Sequence, residues 1–255
     1  MDIQQQKQFR VLIIGDSCQD IYHYGTCDRL SPEAPVPILK LSHTQVKPGM
    51  ALNVKSNLQS FLIDVDVLTN EEPITKQRYI DLKTKNHLLR FDTGEQTLLK
   101  SLEIDTIRNI KFTNYDAIAL VDYNKGTLKK ENIEYISQRC HEENIPLFVD
   151  SKKSDLSNFN NSIIKINDKE ERAVEVFPQN YQLIVTHGSK GAMYEGQLFK
   201  SQPVEVCDVC GAGDTFFAAL IYKFLIKNNI TNAIKFANKC ARITVSRSGA
   251  YALSK

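Results

Sequence analysis

Residues 208–217 (DVCGAGDTFF) set two glycines and an alanine directly before a carboxylate, and that carboxylate opens an apolar stretch of helical character. The backbone N–H groups of Gly211, Ala212 and Gly213 can converge on one point at the positive end of the helix that follows. Such a point holds an anion, most commonly a phosphate. Asp214 then stands where phosphoryl transfer needs a base to take the proton from an attacking hydroxyl. A Gly-rich turn before an ordinary helix is the bland alternative, and these residues alone do not separate the two. Cys207 and Cys210 form a C-x-x-C in the same turn. No second ligand pair and no thioredoxin-like context accompanies it, so both are expected as small buried residues rather than a zinc or redox site.

The elements that must position these residues follow from hydrophobic periodicity. Residues 9–14 (FRVLII), 115–121 (YDAIALV), 146–149 (PLFV), 162–166 (SIIKI) and 182–186 (QLIVT) read as buried strands. Helical spacing marks 50–62, 128–140, 214–227 and 231–246. Strand–helix alternation of this kind predicts an α/β fold: a mostly parallel sheet with helices on both faces. Ligands of such sheets sit at the carboxyl ends of the strands. Polar residues gather at those ends: Asp16 and Asp20, then Asp122, then Asp150 and Lys152, then Asn167 and Glu170, then Thr186, Gly188 and Gly191. Any one of them is more often a cap or turn residue than a ligand. Asp16 and Asp20 together suit a substrate with several hydroxyls. The proline-dense stretch 31–37 (SPEAPVP) and the alternating residues after it break the rhythm. Proline is kept out of central strands, so a small β flap over 26–46, outside the main sheet, is expected to cover a ligand or pair with a second subunit.

Composition narrows the classes. The 255 residues are enough for one α/β domain, with 42% apolar and 24% charged residues. A formal charge of +2 gives no footprint of a nucleic-acid binder or a polybasic membrane protein. No apolar run reaches the roughly 20 residues needed to span a bilayer, and the start lacks a secretory layout. A cytoplasmic enzyme is the expectation. Six cysteines show no disulfide framework. Neither a G-x-G-x-x-G after the first strand nor a G-x-x-x-x-G-K-[ST] is present, so neither a Rossmann dinucleotide site nor a Walker-type nucleotide site is expected.

DVCGAGDTF resembles the D-x-x-G-A-G-D signature of the ribokinase-like (PfkB) carbohydrate kinases. Residues 167–170 (NDKE) resemble their N-x-x-E element, and 186–191 (THGSKG) their T-x-G-x-x-G nucleotide loop. Within that family the N-terminal half is most similar to the heptose 7-phosphate kinases, through GDSCQDIYHYG, RLSPEAPVPILK, KPGMALNV, LLRFD, VDYNKGTL and VDSKKSDLSNF. The similarity runs over nearly the whole chain and implies a single ribokinase-like domain over 1–255. It also implies an ATP- and Mg²⁺-dependent kinase acting on the anomeric hydroxyl of a sugar phosphate, and a homodimer formed through the flap.

The same resemblance implies roles for residues. Asp214 would be the base and Gly211, Ala212 and Gly213 the anion hole. Asn167 and Glu170 would lie by Mg²⁺ and its waters. Thr186, Gly188, Gly191, Asn167 and Asn238 would line the ATP site. Asp16, Asp20, Gly49 and Asn53 would hold sugar hydroxyls, while Arg90 and Lys152, with Arg29 of the flap, would meet the 7-phosphate. Two departures stand out. Met50 occupies the second position of the family's Gly-Gly pair, and 68–72 replace a strand–helix stretch of several dozen residues. The chain ends at Lys255, so no fused nucleotidyltransferase domain is expected. Another phosphorylated sugar as acceptor, or a homologue that has lost catalysis and works through partners, stay open as alternatives.

Overall fold

The computed structural model describes residues 8–95 and 99–247. Strand β1 (Arg10–Gly15) is apolar at successive positions because both of its faces are covered. Val11 and Ile13 enter one core, Leu12 and Ile14 the other, and all four are buried. After β1 the chain leaves the main sheet for a long hairpin, β2 (Ser17–Leu30) and β3 (Pro37–Met50), and returns through helix α1 (Ala51–Ser60) to β4 (Asp64–Thr69). Strands β5 (Thr75–Asp81) and β6 (His87–Thr93) follow, then the short helix α2 (Ile104–Arg108). Then come β7 (Ala117–Asp122), α3 (Lys130–Glu142), β8 (Leu147–Ser151), β9 (Ser162–Asn167), α4 (Asp168–Ala173) and β10 (Tyr181–Thr186), with a loop in place of a helix between β8 and β9. The hairpin β11 (Gly191–Tyr194) and β12 (Gln197–Lys200) precedes helices α5 (Ala212–Lys227) and α6 (Ile230–Val245).

The main sheet has the order β12-β11-β10-β9-β8-β7-β1-β4. The six strands from β10 to β4 are parallel, and the β11–β12 hairpin joins β10 antiparallel. Helices α1, α5 and α6 cover one face, with Val54, Leu58, Phe217, Leu220, Ile234 and Ala237 in that core. On the other face α2 and α3 pack Ile107, Ile133, Ile136 and Cys140 against Ile118, Leu120 and Val149. This is the α/β architecture expected. Among the described residues no helix is long and apolar enough to cross a membrane.

The flap differs from its expected bounds. Instead of residues 26–46 alone, a four-stranded sheet of order β3-β2-β5-β6 stands apart from the main sheet. The hairpin begins at Ser17, directly after β1, and β5 adds parallel to β2. Its register fixes two faces, because alternate residues of each strand point the same way. Lys47, Asp20, Lys76 and Asp92 form one cross-strand row, and Gln45, Tyr22, Arg78 and Arg90 the next row on that same face. The opposite face carries Val46, Ile21, Gln77 and Phe91, then Thr44, His23, Tyr79 and Leu89. The first face turns inward: Tyr22 is buried and Arg78 is 7% exposed.

Candidate active site

Gly211 is the N-cap of helix α5, and its φ of 77° lies in the left-handed region that a side chain disfavours. Gly211 as the N-cap has no side chain to satisfy the amides that follow, and the Ala212 N–H makes a long 3.3 Å bond to the Val209 carbonyl. Such an arrangement attracts an anion. Asp214, on the first turn, is 6% exposed. Asn53 Nδ2 donates to its Oδ2 at 2.7 Å, and the Tyr123 hydroxyl donates to Oδ1 at 2.9 Å. Burial pushes the Asp214 carboxyl up to about 6. Asp150 adds to that rise, while the Asn53 and Tyr123 hydrogen bonds and the Lys165 ammonium oppose it.

A buried relay orients Asn53. Its Oδ1 accepts from Asn57 Nδ2 at 3.2 Å, one turn along α1, and Asn57 Oδ1 accepts from Thr215 Oγ1 at 3.2 Å. The amide of Asn53 can therefore point only its NH₂ at Asp214. Asn53, Asn57 and Thr215 are each under 5% exposed, so misorientation would leave polar atoms buried without partners.

The strand ends deliver the other expected residues. Asp16, at the end of β1, is 1% exposed; its Oδ2 accepts from the Lys125 N–H at 3.1 Å, and burial raises its carboxyl above the ordinary value. Asp20 stands on β2 with Arg78 Nη1 donating to its Oδ1 at 2.5 Å. Gly49 lies opposite Cys18 on β3, and a Cβ there would come within 2.5 Å of Asp20 Oδ2 and 2.4 Å of Cys18 Sγ. Any side chain at position 49 would thus displace the carboxylate. Asn167 caps α4, its Oδ1 accepting from the Lys169 and Glu170 amides at 2.9 Å, and Glu170 Oε2 accepts from the Asn167 N–H at 2.8 Å. Glu170 also pairs with Lys152, whose Nζ lies 4.6 Å from the centre of the Tyr123 ring. Burial favours the neutral Glu170 carboxyl, but the Lys152 and Asn167 hydrogen bonds outweigh it and hold it below the ordinary value.

Thr186 closes β10, with Gly188 and Gly191 in the turn that follows. Asn238 is buried in α6, and its Nδ2 donates to the Phe199 carbonyl at 2.7 Å, which commits one of its donors to the sheet edge. Arg90 is on β6, half-exposed, and is held in a two-point contact by Asp92 at 2.9 and 2.7 Å. Lys152 directly follows β8 of the main sheet, so the pair read together from the sequence is divided between the two sheets. Cys207 is exposed and Cys210 partly so, against the expectation of a buried pair. The 201–210 segment runs as a loop beside the end of α6, with Cys207 N–H bonded to the Val245 carbonyl at 2.8 Å.

Asn57, Lys165 and Arg78 gave no sequence signal of their own, and Tyr123 lies in the VDYNKGTL stretch without being singled out there. They are ordinary strand, helix and loop residues until the fold brings them in. Arg78 lies 5.1 Å over the Tyr22 ring, and Lys47 Nζ lies 5.3 Å from the same ring. A cavity of about 380 Å³ opens beside them, lined by Tyr22, Tyr24, Lys85, His87 and Asp208 among others.

Residues 54–255 match the pfkB family of carbohydrate kinases. The chain is 31% identical over 291 residues to the bifunctional protein HldE of a Nitratiruptor species, and 30% identical over 293 residues to that of Campylobacter concisus. These alignments cover 94% and 95% of the chain but 62% of each relative, so the chain spans about three-fifths of the length of these curated relatives. Among solved structures, phosphofructokinase-2 from Escherichia coli superposes with a TM-score of 0.72 at 14% identity, over 97% of this chain and 96% of that one. Ribokinase from Thermotoga maritima gives 0.67 at 17% identity, over 95% and 94%.

Proposed function

The chain belongs to the pfkB family of carbohydrate kinases, and within it we propose a kinase that transfers the γ-phosphoryl of ATP to the anomeric hydroxyl of a heptose 7-phosphate. The observation that carries the phosphoryl-transfer reading is Asp214, buried at the N-terminus of α5 beside the backbone of Gly211, Ala212 and Gly213, where the N-cap has no side chain. Each Asp214 oxygen accepts one hydrogen bond and keeps a second lone pair, so a substrate hydroxyl can donate to it while Asn53 and Tyr123 stay in place. Asp214 takes that proton as the hydroxyl attacks. The three amides face the negative charge of the phosphoryl group in flight, where preorganised donors in a dry site stabilise it most.

Glu170 is the residue fit to face Mg²⁺. It is ionised and stands at a strand end, and among the described residues no group of three or more acidic, histidine or cysteine side chains gathers into a cage. One carboxylate beside phosphate oxygens and water is the environment Mg²⁺ prefers. When bound, the ion neutralises charge on the phosphates. Asn167 is committed to the cap of α4 and acts by holding Glu170 in place. Thr186, Gly188, Gly191 and Asn238 belong to the nucleotide side of this reading, and Asp16, Asp20, Gly49 and Asn53 to the sugar side.

The heptose reading draws support from the HldE relatives and from the inward face of the second sheet. Arg78 and Arg90 stand opposite each other on β5 and β6, well placed as a pair for the far phosphate of the acceptor, since guanidinium groups bind phosphate at two points. Lys152, next to Glu170 and Tyr123, falls on the side of the transferred phosphoryl. A different phosphorylated sugar is the second reading, favoured by Met50 against the site residue Tyr123. ADP release measured with heptose 7-phosphate, fructose 6-phosphate and the unphosphorylated sugars tests both. Turnover with heptose 7-phosphate well above the rest is expected; equal or greater turnover with another sugar phosphate replaces the heptose assignment.

A further inference from the structure

Beneath the anion turn lies an ion pair with no part in the steps above. Lys165 is the fourth residue of β9, in the apolar run SIIKI, and its Nζ donates to Asp150 Oδ2 at 2.7 Å. The two side chains are 5% and 4% exposed. A Cβ built on Gly213 would stand 3.2 Å from that Nζ, so the ammonium sits under the backbone that opens α5, one residue from Asp214. Taking both charges out of water is costly, and an apolar pair of the same volume commonly serves packing as well. The pair therefore calls for a role beyond filling the core.

We infer that Lys165 is a positioning residue for the base, and that with Asp150 it sets the electrostatic field in which Asp214 loses and regains its proton. This rests on the reading of Asp214 as the base. The groups acting on Asp214 include Cys18 from β2, Asn53 from α1, Tyr123 after β7, Asp150 from β8 and Lys165 from β9. Lys152 and Lys76 stand farther out, over the Tyr123 ring at 4.6 and 5.9 Å, and Lys165 is the buried cation. The Asp150 carboxylate makes ionisation of Asp214 harder, and the Lys165 ammonium between strand and turn makes it easier. The partners consequently pull in opposite directions: Lys165 favours the ionised base and Asp150 the protonated one.

That opposition separates a field effect from damage to packing. The test is the pH dependence of kcat/KM for the wild type, Lys165→Met, Asp150→Asn and Asp214→Asn, with circular dichroism to check the fold. Lys165→Met should move the acid limb upward by about one to two pH units, and Asp150→Asn should move it downward. A purely structural role lowers activity at every pH and leaves the limb where it was. Limbs that stay fixed, or that move the same way in both variants, overturn the inference. If Lys165→Met fails to fold, Asp150→Asn decides alone, and absence of a downward shift overturns it. Should Asp214→Asn keep the wild-type profile, the assignment of the base has failed, a different result from unmoved limbs in the other two variants.

Discussion

Asp214 is held under conflicting demands, and its stability and its activity should respond to pH in opposite senses. Burial raises its carboxyl from 3.8 in the unfolded chain to about 6 in the folded one. Between those values the folded state binds the proton more tightly, so stability falls as pH rises through the window and the full cost is present at neutral pH. With Asp214 as the proposed base, activity should need the ionised form and rise over the same range, giving an acid limb in kcat/KM near pH 6. Asp214→Asn should lower kcat by roughly 10²–10⁴. An asparagine can accept from Asn53 and donate to the Tyr123 oxygen, so the fold is kept. Freed of the ionisation cost, it should be more stable than the wild type by about 1–3 kcal/mol at pH 7.5. Thermal melts should show that gap closing below about pH 4, where both states hold the proton; a variant less stable at every pH would contradict it. The sequence offered Asp214 and its glycines because the whole arrangement is local. It offered Asn53 for the sugar side but not the bond of its amide to Asp214, 161 positions away. Tyr123, 91 positions from Asp214, is an unremarked residue after a strand, and nothing local distinguishes it.

The elements divide in the same way. The five strands read from apolar runs lie in the main sheet, where burial on both faces makes most positions apolar. Strands β2, β5 and β6 were not read, since each carries charged or aromatic side chains on one face and mixed ones on the other, leaving neither a continuous run nor a clean alternation. The start of α1 shows a second conflict between local and global demands. Met50 has φ 54° and ψ −127°, a conformation suited to glycine, yet its side chain is 3% exposed and packs with Cys18, Ile74 and Leu99 against Tyr123. Met50→Ala loses the packing and keeps the strain, while Met50→Gly loses the packing and releases it. The usual order, in which glycine is the less stable by about 0.5–1 kcal/mol, should reverse here, with the glycine variant the more stable by about 1 kcal/mol. Urea denaturation of the two measures the difference, and a normal order would place no strain at Met50. On β5 and β6, Arg78→Ala and Arg90→Ala should each weaken binding of a sugar phosphate about ten- to a hundred-fold and leave ATP affinity alone. Equal binding of a sugar phosphate by wild type and both variants, measured calorimetrically, would move the phosphate elsewhere.

At the scale of the whole molecule the two sheets handle their exposed surfaces differently. In the main sheet β4 is an edge strand, and its outward Asp64 and Asp66 pair with Arg10 of the neighbouring strand. Charges on an edge deter pairing with another chain. The second sheet has no such protection on its outer face. Val46, Leu89 and Phe91 lie there together on adjoining cross-strand rows, each more than half exposed, beside Ile21 and Tyr79. Scattered apolar residues on a surface mean little, but a contiguous set on one face of a small sheet marks a contact. The occupant that suits it is the same face of a second copy, since a two-fold axis lets one apolar patch cover itself. The inward face would then be left free to carry Asp20, Arg78 and Arg90 toward the substrate. Sedimentation or light scattering at micromolar concentration should give twice the mass of the chain. Leu89→Glu together with Phe91→Glu should give a monomer with an unchanged far-ultraviolet spectrum, because both side chains already face solvent in the single chain. Pairing would also stiffen the sheet that bears Asp20, Arg78 and Arg90, proposed for the sugar side, so the monomeric variant should show a raised KM for the sugar phosphate with the KM for ATP little changed. A wild type that sediments as a monomer with this face exposed would rule out the dimer.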